Sequence, residues 1–338
     1  FDHSKLLVVD SAWTLLGLSA LPTSHPLNVG MLGMHGNYGP NVLTNECDVL
    51  IAIGMRFDDR GTGRLDRYAR QAKIIHLDID PAEIDKNIKA HVPVWGDCKE
   101  TLPMLTDLVE KKTRSAWLDR FREFQKEEDA QVIFDELNPP ASAELTMGEV
   151  MKFLNELTDG EAIIVTDVGQ HQMVASRYAR FNRSRSNVTS GGLGTMGFAL
   201  PAAIGAKFGA PERTVVGIAG DGGIQMTIQE LGVIMQYQVG VKIIILNNRF
   251  LGMVRQWQEL FLERRYSFTE MQNPDFVGIA KAYGIAGASV SERQDLRNAL
   301  KTMLEHPGSY LLEVMVGKEN NVFPMVPQGC GVAEIRLK

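Results

Sequence analysis

Short apolar runs that alternate with helix-forming segments are the feature of this 338-residue sequence that most restricts its fold. Apolar runs of strand length, separated by amphipathic segments, are typical of strands buried in a parallel sheet and joined by crossover helices. The pattern therefore predicts an α/β protein with two domains, each a mostly parallel doubly wound sheet with helices on both faces. Strands are predicted at residues 6–9, 49–54, 74–78, 92–95, 162–166, 214–219, 241–246 and 310–316.

A domain boundary is predicted where the composition changes, between residues 113 and 146. Residues 117–131 are strongly charged and have apolar side chains at helical spacing, and Pro139-Pro140 then interrupts the chain. We interpret this segment as a surface helix and a linker, with a charged face that is solvated or contacts a partner. The predicted boundaries are 1–113 for a first domain that is incomplete at its amino end, 114–145 for the helix and linker, and 146–338 for the second domain.

Helices are predicted at three places between the strands and at a fourth from a capping signal. The first three are the amphipathic segment at residues 81–89 and the segments at about 100–111 and 227–236. Thr146 and Glu149 have the spacing of a capping box, in which each side chain bonds the backbone N–H of the other, so a helix is predicted to begin at Thr146.

Charge and composition exclude several classes of function. The net charge of −6 argues against a nucleic-acid partner, which usually requires a basic surface. No apolar run reaches the roughly 18 residues of a membrane span, and no secretory signal opens the sequence. Cys47, Cys98 and Cys330 are far apart and form no CxxC pair, which is typical of reduced thiols. We therefore expect a cytoplasmic protein with no membrane contact.

Polar and glycine residues follow two of the predicted strands. Gly220-Asp221-Gly222 comes directly after the strand at 214–219, and Asn247-Asn248 follows the strand at 241–246. The carboxyl ends of parallel strands meet at one edge of a sheet, so the Asp and Asn oxygens are expected to converge there. Mg²⁺ prefers oxygen ligands and shares them with substrate phosphates, which glycine amides can also approach. The sequence predicts a magnesium–diphosphate site at this edge.

A second glycine pattern offers an alternative cofactor. Gly192, Gly194 and Gly197 match the dinucleotide fingerprint, and Asp221 lies at roughly the distance expected for a ribose contact. The fingerprint alone is weak, and Asp221 lies within a glycine cluster that suits a metal better than a ribose. A nicotinamide cofactor therefore stays a minor alternative.

Three strings together resemble the large catalytic subunit of acetolactate synthase (acetohydroxyacid synthase), a thiamine-diphosphate enzyme of branched-chain amino acid synthesis. They are Ser190–Gly197, Gly220-Asp221-Gly222 with Asn247-Asn248, and Gly252–Gln258. The resemblance covers nearly the whole chain from Trp13 onward. The metal signature is shared by a wider superfamily, whereas the string from Gly252 to Trp257 is much narrower.

The resemblance implies roles for residues of the second domain. Asp221 and Asn248 would bind Mg²⁺ through their side chains and Phe250 through its carbonyl. Met196 would hold the cofactor in its bent form, Met253 would flank the aminopyrimidine ring, and Trp257 would shape the pocket of the second substrate; these three form the predicted catalytic set. The predicted thiamine-diphosphate-binding residues are Gly169, Gln170, His171, Met196, Gly220, Asp221, Gly222, Gly223, Asn248, Gly252, Met253 and Val254.

The first domain is predicted to bind a nucleotide. Arg56 suits a pyrophosphate, and Asp78, at the end of a predicted strand, suits a ribose. From the residues alone, a turn with surface charges is the alternative. The resemblance implies FAD, and the residues it assigns to that site are Gly33, Met34, His35, Gly54, Arg56, Asp58, Arg60, Asp78, Ile79 and Asp97.

The resemblance also implies a reaction and partners. Pyruvate would be decarboxylated on thiamine diphosphate, and the hydroxyethyl unit would be condensed with pyruvate to give 2-acetolactate or with 2-ketobutyrate to give 2-aceto-2-hydroxybutyrate. The alternatives are another thiamine-diphosphate decarboxylase or carboligase, and a non-catalytic cofactor-binding fragment. A homodimer or tetramer, with a small regulatory subunit, is expected. Relatives have an N-terminal domain with a glutamate that acts on the cofactor, so we expect this sequence alone to be inactive.

Overall fold

The computed structural model describes residues 10–109 and 114–338 and divides the chain into two compact units. The first unit contains residues 1–133 and 323–338, and the second contains residues 134–322. These limits differ from the predicted ones at the carboxyl end, because residues 323–338 join the first unit. Backbone hydrogen bonds explain this: Val326 N donates to Met34 O (2.7 Å) and Arg64 N donates to Cys330 O (3.1 Å).

The charged helix predicted at 117–131 also belongs to the first unit. It is formed as a helix, Ser115–Glu128, that continues into a π-helical turn, Asp129–Ile133. Its Phe124 ring packs edge-on against Tyr38 at 4.9 Å, and the buried Glu128 carboxylate accepts hydrogen bonds from Tyr38 N (2.7 Å) and Asn37 Nδ2 (3.0 Å). The apolar residues at helical spacing therefore face the first unit, whereas the linker belongs to the second.

The strands of the first unit form two parallel sheets, one of two strands and one of three. The strands predicted at 49–54, 74–78 and 92–95 are confirmed and lie in chain order in the three-stranded sheet, while the strand predicted at 6–9 lies outside the described residues. The elements are β1 (Ser11–Trp13), β2 (Asn28–Met31), α1 (Tyr38–Leu43), β3 (Val49–Ile53), α2 (Asp59–Thr62), β4 (Lys73–Asp78), β5 (Val92–Trp95), α3 (Cys98–Leu108) and α4 (Ser115–Glu128).

The helix predicted at residues 81–89 is wrong, because this segment forms turns. Two aspartate side chains bond the backbone instead: Asp80 Oδ1 accepts from Ala82 N (2.9 Å) and Asp85 Oδ1 accepts from Ala90 N (2.7 Å). Asp85 also has a positive φ of 63°. Short polar side chains offer the backbone local partners that compete with helical bonds, and here they prevail over the amphipathic spacing.

The second unit contains a six-stranded parallel sheet in the order β10-β11-β9-β8-β6-β7. With helices on both faces of this sheet, the predicted α/β fold class is confirmed. β7 and β10 were not predicted, because both are short or partly exposed. The elements are α5 (Phe134–Leu137), α6 (Met147–Thr158), β6 (Ile163–Thr166), α7 (Gln170–Tyr178), β7 (Asn187–Thr189), α8 (Ala199–Gly209), β8 (Val215–Gly220), α9 (Asp221–Met226), α10 (Leu231–Tyr237), β9 (Lys242–Asn247), α11 (Gly252–Phe261), α12 (Phe276–Ala282), β10 (Ala286–Val290), α13 (Arg293–Glu305) and β11 (Tyr310–Met315).

The central strands of the second unit are buried on both faces. Every residue of β8 and β9 is buried, so these strands appear in the sequence as continuous apolar runs rather than as alternating ones. Ile243 and Ile245 belong to the same core cluster as Ala203 of α8 and Ile234 of α10. Within residues 10–109 and 114–338, no helix combines the length and the hydrophobicity needed to cross a lipid bilayer.

The strand order places a topological switch point between β6 and β8. From β6 the chain moves to β7 on one side and then returns to β8 on the other side. In open α/β sheets, a crevice forms at the carboxyl ends of the strands where the direction reverses, and ligands bind there. The fold therefore favours a binding site between the segment after Thr166 and the segment after Gly220.

Arg293 of α13 binds the linker at several points, in addition to hydrogen bonds from Thr146 and Lys152 to the segment before it. Arg293 Nε donates to Glu149 Oε1 (2.7 Å), and its guanidinium also bonds the carbonyls of Ala141 (3.1 Å), Ala143 (3.0 Å) and Glu144 (2.9 Å). Glu149 in turn forms the predicted capping box with Thr146 at the start of α6. The planar guanidinium of Arg293 thus satisfies several backbone acceptors of the linker at once.

Arg293→Ala is expected to lower the free energy of unfolding by about 2–4 kcal/mol, because it leaves the nearly buried Glu149 carboxylate and several carbonyls without their donor. Arg297→Ala is the matched control: it lies on the same helix, and its pair with Glu156 is far more exposed (54% and 40%, against 26% and 6%). The control should lose less than about 1 kcal/mol. Urea unfolding of both variants measures the difference. Equal losses of unfolding free energy would contradict a special role of Arg293 in holding the linker.

Candidate functional site

A pocket lies at the switch point and collects all twelve residues that were predicted to bind thiamine diphosphate, together with Phe250. Four further lining residues, Met147, Val168, Leu246 and Leu251, were not predicted. The elements that supply the lining are the start of α7 after β6, the β8–α9 junction, the segment after β9 and the first turn of α11. The pocket gives these residues a shared location, and their individual roles stay predictions.

The predicted metal ligands meet at the carboxyl ends of two neighbouring strands. Gly220 pairs in register with Leu246, so Asp221 and Asn247 follow the ends of adjacent parallel strands. The backbone N–H of Arg249, which lies between Asn248 and Phe250, donates to Asn247 Oδ1 (3.0 Å) and is near enough to the Asp221 carboxyl group to oppose the rise of its pKa. The carboxylate of Asp221 and the oxygens of the Asn248–Phe250 segment are therefore close together, as the spacing of the motif predicts.

Asn273 is a residue of this site that sequence reasoning missed. Its Nδ2 donates to Asp221 Oδ2 (2.6 Å) and to Asn247 Oδ1 (3.0 Å), and its Oδ1 accepts from Gln225 Nε2 (3.1 Å). Asn273 thus links the two strand ends and orients the carboxylate. The sequence offered no local signal for it beyond the turn-forming Asn273-Pro274 pair.

The surroundings of Asp221 suit a cation. The residue is almost fully buried, and burial raises the pKa of its carboxyl group to about 6, against the opposing effect of the Asn273 hydrogen bond and nearby backbone N–H groups. Asp221 is also the only carboxylate among the described residues that line the pocket. A divalent ion would compensate this buried charge, and a carboxylate, an amide oxygen and a backbone carbonyl form the oxygen donor set that Mg²⁺ prefers. The residues present therefore fit a magnesium ion.

Two glycines of α9 leave room that a side chain would fill. A Cβ on Gly222 would lie 2.8 Å from Leu251 Cδ2, and a Cβ on Gly223 would overlap the Asp167 carboxylate. Asp167 is itself fully buried, and its Oδ1 accepts from Phe198 N (2.8 Å) before α8. A side chain on Gly223 would collide with the Asp167 carboxylate, and because neither glycine carries a side chain, their amide groups stay open to an anion at the end of β8.

His171 is buried at the start of α7, with its ring beside two glycines. Cβ atoms on Gly169 and Gly220 would each lie 2.9 Å from its ring. Burial lowers the pKa of the imidazole from 6.5 to about 4, so His171 is neutral at physiological pH. Its Nε2 has no hydrogen-bond partner among the described residues. A neutral imidazole with an unused ring nitrogen can donate to a phosphate oxygen.

His171 is expected to make the protein less stable in acid. Because its pKa is lower in the folded state, its contribution to stability is full above pH 6.5 and is lost as the pH falls toward 4. At pH 4.5 the loss is about 2.5 kcal/mol relative to pH 7. His171→Gln removes this titration, so its unfolding free energy should fall less than that of the unchanged protein between pH 7 and 4.5. Parallel curves in urea unfolding at both pH values would contradict the assignment.

The pocket also has apolar lining residues. Met196, Met253 and Val254 line it together with Met147. Trp257 does not line the pocket in this chain; it lies one turn beyond Met253 on α11, partly buried, with its ring 5.0 Å from that of Phe261. Of the predicted catalytic set, Met196 and Met253 therefore line the pocket, whereas Trp257 lies on the next turn of α11.

The geometry does not favour the dinucleotide alternative. The glycines at 192, 194 and 197 do follow a strand, β7, and precede a helix, α8. In a dinucleotide fold the ribose-binding acidic residue follows the strand adjacent to the glycine loop. Here β6 lies between β7 and β8, so Asp221 is not on the neighbouring strand.

In the first unit, several of the predicted FAD-binding residues lie at the carboxyl ends of three adjacent strands. Gly54 N donates to Leu77 O (2.8 Å) beside Asp78, and Asp78 pairs in register with Trp95. Gly54, Asp78, Ile79 and Asp97 therefore lie along one edge of the sheet. Ile79 is 65% exposed there, and a Cβ on Gly54 would meet no atom within 4 Å, so the edge has room for a ligand.

Other predicted FAD-binding residues lie near α2. Met34 N donates to Arg60 O (2.7 Å), and both residues line a second pocket with the segment at 326–332. Gly33 is bound to Asn41 through its backbone, and His35 is buried near Pro324 O (3.3 Å). The first unit therefore has two groups of candidate nucleotide contacts, one at the strand ends and one near α2.

Some of the predicted FAD-binding residues also have local structural roles. Asp58 caps α2 by accepting from Arg60 N and Gly61 N, and it pairs with Arg56 at 3.3 Å. Asp97 caps α3 by accepting from Lys99 N (2.8 Å). Helix capping alone accounts for an aspartate at these two positions, and Asp78 Oδ1 also accepts from Asp80 N (2.9 Å), so Arg56 and the backbone of Gly54 are the more informative candidates for nucleotide binding.

Two family models match this chain. Residues 167–314 match the family model described as thiamine pyrophosphate enzyme, C-terminal TPP binding domain, and residues 7–105 match thiamine pyrophosphate enzyme, central domain. The first match confirms the prediction of a thiamine-diphosphate-binding second half. The central-domain match covers the part of the chain to which a nucleotide site was assigned.

Similar proteins include three acetolactate synthase chains. The large subunit from Parasynechococcus marenigrum (strain WH8102) is 43% identical over 95% of this chain and 52% of that protein. The isozyme 2 large subunit from Escherichia coli (strain K12) is 43% identical over 96% and 58%, and acetolactate synthase 1, chloroplastic, from Nicotiana tabacum is 43% identical over 96% and 50%. The chain therefore spans about half the length of the curated relatives it matches.

Proposed function

Since this chain belongs to the thiamine pyrophosphate enzyme family, we propose that it is the cofactor-binding part of an acetolactate synthase large subunit. The proposed reaction decarboxylates pyruvate and joins the remaining two-carbon unit to a second pyruvate or to 2-ketobutyrate. The observation that carries the proposal is the pocket at the switch point, which combines a buried Asp–Asn oxygen pair, glycine amides and an apolar wall.

The polar residues and glycine amides of the pocket would hold magnesium and the diphosphate. Asp221, Asn248 and the Phe250 carbonyl would bind the ion, and the backbone amides of Gly222 and Gly223 would approach the phosphates. The start of α7 adds the N–H groups of a helix amino end, with His171 next to them. Asp221 would thus bind as a carboxylate, since the cation offsets the burial that raises its pKa.

The apolar lining residues would surround the reacting part of the cofactor. When bound, thiamine diphosphate supplies the carbanion chemistry of 2-keto acid decarboxylation. Met196, Met253 and Val254 would fix the orientation of its ring system and exclude water from it. Trp257 would lie on the side from which the second keto acid approaches, because it is on the same helix one turn further on.

FAD is the nucleotide we propose for the first unit. The strand-end residues Gly54, Arg56 and Asp78 would contact its phosphates and ribose, while Met34 and Arg60 would lie along the adjoining pocket. A small regulatory subunit is also proposed, because several relatives are named as large subunits. Assembly as a homodimer or tetramer stays a prediction. The cytoplasmic location also stays a prediction, since the relatives include proteins named as chloroplastic.

The function is tested by assaying the full-length protein with pyruvate, thiamine diphosphate, Mg²⁺ and FAD. We expect carbon–carbon bond formation, detected as 2-acetolactate, and a mixed product when 2-ketobutyrate is added. Release of acetaldehyde and carbon dioxide without a coupled product would instead indicate another decarboxylase of the family. Failure to bind thiamine diphosphate at all would indicate a non-catalytic relative.

A further inference from the structure

Three buried side-chain amides are linked by hydrogen bonds in a series that ends at Asn248, a proposed metal ligand. Gln256 of α11 contacts Gln170 of α7, and Gln170 contacts Asn248. All three are buried, with Gln256 at 0%, Gln170 at 3% and Asn248 at 4% exposure. Buried amides must satisfy their donors and acceptors within the protein, so the orientation of each one depends on its neighbour.

The orientation of Gln256 is set by a backbone segment. Its Oε1 accepts from Val322 N (2.8 Å), and its Nε2 donates to Val322 O (3.2 Å). The reversed amide would place donor against donor and acceptor against acceptor at Val322. The Gln256 oxygen is therefore fixed where it can also receive a hydrogen bond from Gln170.

Gln170 transmits this orientation to Asn248. Gln170 Nε2 donates to Gln256 Oε1 (2.9 Å) and to Asn320 O (2.8 Å), which leaves its Oε1 facing Asn248. Asn248 Nδ2 donates to that oxygen (3.2 Å), so Asn248 Oδ1 is turned to the opposite side, where it accepts from Phe250 N (3.1 Å). Asn248 thereby has its oxygen, rather than its NH₂ group, on the side of Phe250, whose carbonyl is also proposed to bind the metal.

We propose that Gln256 is a positioning residue for magnesium: through Gln170 it holds the Asn248 carboxamide with its oxygen toward the ion. The inference rests on the proposed function, which makes Asn248 a ligand. The start of α11 leaves space for this amide chain, because a Cβ on Gly252 would overlap Gln170 Oε1 and lie 2.7 Å from Asn248 Nδ2. Gln170 donates both of its amide hydrogens, to Gln256 Oε1 and to Asn320 O, so its side chain is available to orient a ligand rather than to bind an anion.

The experiment compares two glutamines of α11 that each bond a backbone N–H and C=O. Gln256→Met keeps the side-chain length and removes the amide. Gln258→Met is the matched control, since Gln258 bonds Ser267 N (3.2 Å) and Ser267 O (3.1 Å) and has no contact with Gln170 in the described structure. Calorimetric titration of Mg²⁺ into the full-length protein with saturating thiamine diphosphate measures the affinity for the ion.

Gln256→Met should weaken Mg²⁺ binding by about 10- to 100-fold, as expected when a group that orients a metal ligand is lost. Gln258→Met should change it by less than about 3-fold, because the metal ligands keep their orientation. Urea unfolding establishes that each variant is folded under the conditions of the titration. A folded Gln256→Met protein with unchanged Mg²⁺ affinity would overturn the proposal.

Two further variants separate orientation from general loss of packing. Gln256→Glu keeps an oxygen that accepts from Gln170, and burial favours the protonated carboxyl group, whose O–H can donate to Val322 O in place of Nε2. It should therefore retain most of the Mg²⁺ affinity even if Gln256→Met folds poorly. Asn248→Asp presents an oxygen in either orientation, so adding Gln256→Met to it should cause no further loss of affinity. If Gln256→Glu loses as much as Gln256→Met, or if the loss persists in the Asn248→Asp background, the proposal is wrong. If the unchanged protein binds no Mg²⁺–thiamine diphosphate, the proposed function fails instead.

Discussion

Asp221→Ala is expected to abolish magnesium-dependent binding of thiamine diphosphate by the full-length protein. Asp221 is the only carboxylate among the described lining residues of the pocket, so its removal leaves the ion with only neutral ligands from the protein. Mg²⁺ is bound by one or two carboxylates together with phosphate oxygens, and without the ion two phosphate charges lie beside each other with no bridging cation. We expect a loss of affinity of at least about 100-fold. Mutation of residues that only hydrogen-bond a metal ligand already lowers metal affinity by about 10- to 100-fold.

Calorimetric titration of thiamine diphosphate at a fixed Mg²⁺ concentration measures this loss. Asp221→Asn retains one oxygen ligand without the charge and should fall between Asp221→Ala and the unchanged protein. Asp295→Ala, an exposed aspartate in the first turn of α13, is the control and should bind the cofactor normally. Similar affinities for Asp221→Ala and Asp295→Ala would contradict the metal assignment.

The central part of this site was predictable because it depends on strand ends. Fully buried parallel strands produce continuous apolar runs, so β8 and β9 could be located from the sequence to within a residue. The polar residues that follow such runs must meet at one edge of the sheet if the strands are neighbours. This is why Asp221 and Asn248 could be brought together before the structure was known.

The residues behind the ligands could not be predicted in the same way. Asn273 contacts Asp221 across 52 positions of the chain, and Gln256 contacts Gln170 across 86. Neither pair has a strand-end pattern, because these contacts depend on how loops and helix starts pack over the sheet. The same limit applies to the carboxyl-terminal segment, whose addition to the first unit depends on backbone pairing such as that of Val326 with Met34.

Local chemistry also prevailed over periodicity in one segment. Residues 81–89 have amphipathic spacing, yet Asp80 and Asp85 bond the backbone and produce turns. The segment follows β4 at the edge where the nucleotide is proposed to bind. Helix propensity is a weak preference that such side-chain bonds can exceed, especially over so short a stretch.

Trp257→Leu is expected to reduce the preference for 2-ketobutyrate over pyruvate as the second substrate, while coupling of two pyruvate molecules continues. Trp257 lies one turn beyond Met253 on α11 and packs against Phe261, with the ring centroids 5.0 Å apart, so its ring is held in one orientation. The two acceptors differ by one methylene, and an apolar surface distinguishes such a pair by about 1–3 kcal/mol, or roughly 10- to 200-fold. A smaller, flexible leucine leaves a wider space in which this difference is lost.

Competition between the two acceptors in the full-length enzyme measures the product ratio directly. Tyr237→Leu is the control, because this aromatic residue of the same unit is 61% exposed and lies at the end of α10. Its product ratio should be unchanged. Mg²⁺ and thiamine diphosphate should bind Trp257→Leu with normal affinity, since Trp257 is not among the residues that line the cofactor pocket. A changed ratio with intact cofactor binding places Trp257 at the acceptor, whereas an unchanged ratio with intact binding excludes it from that role.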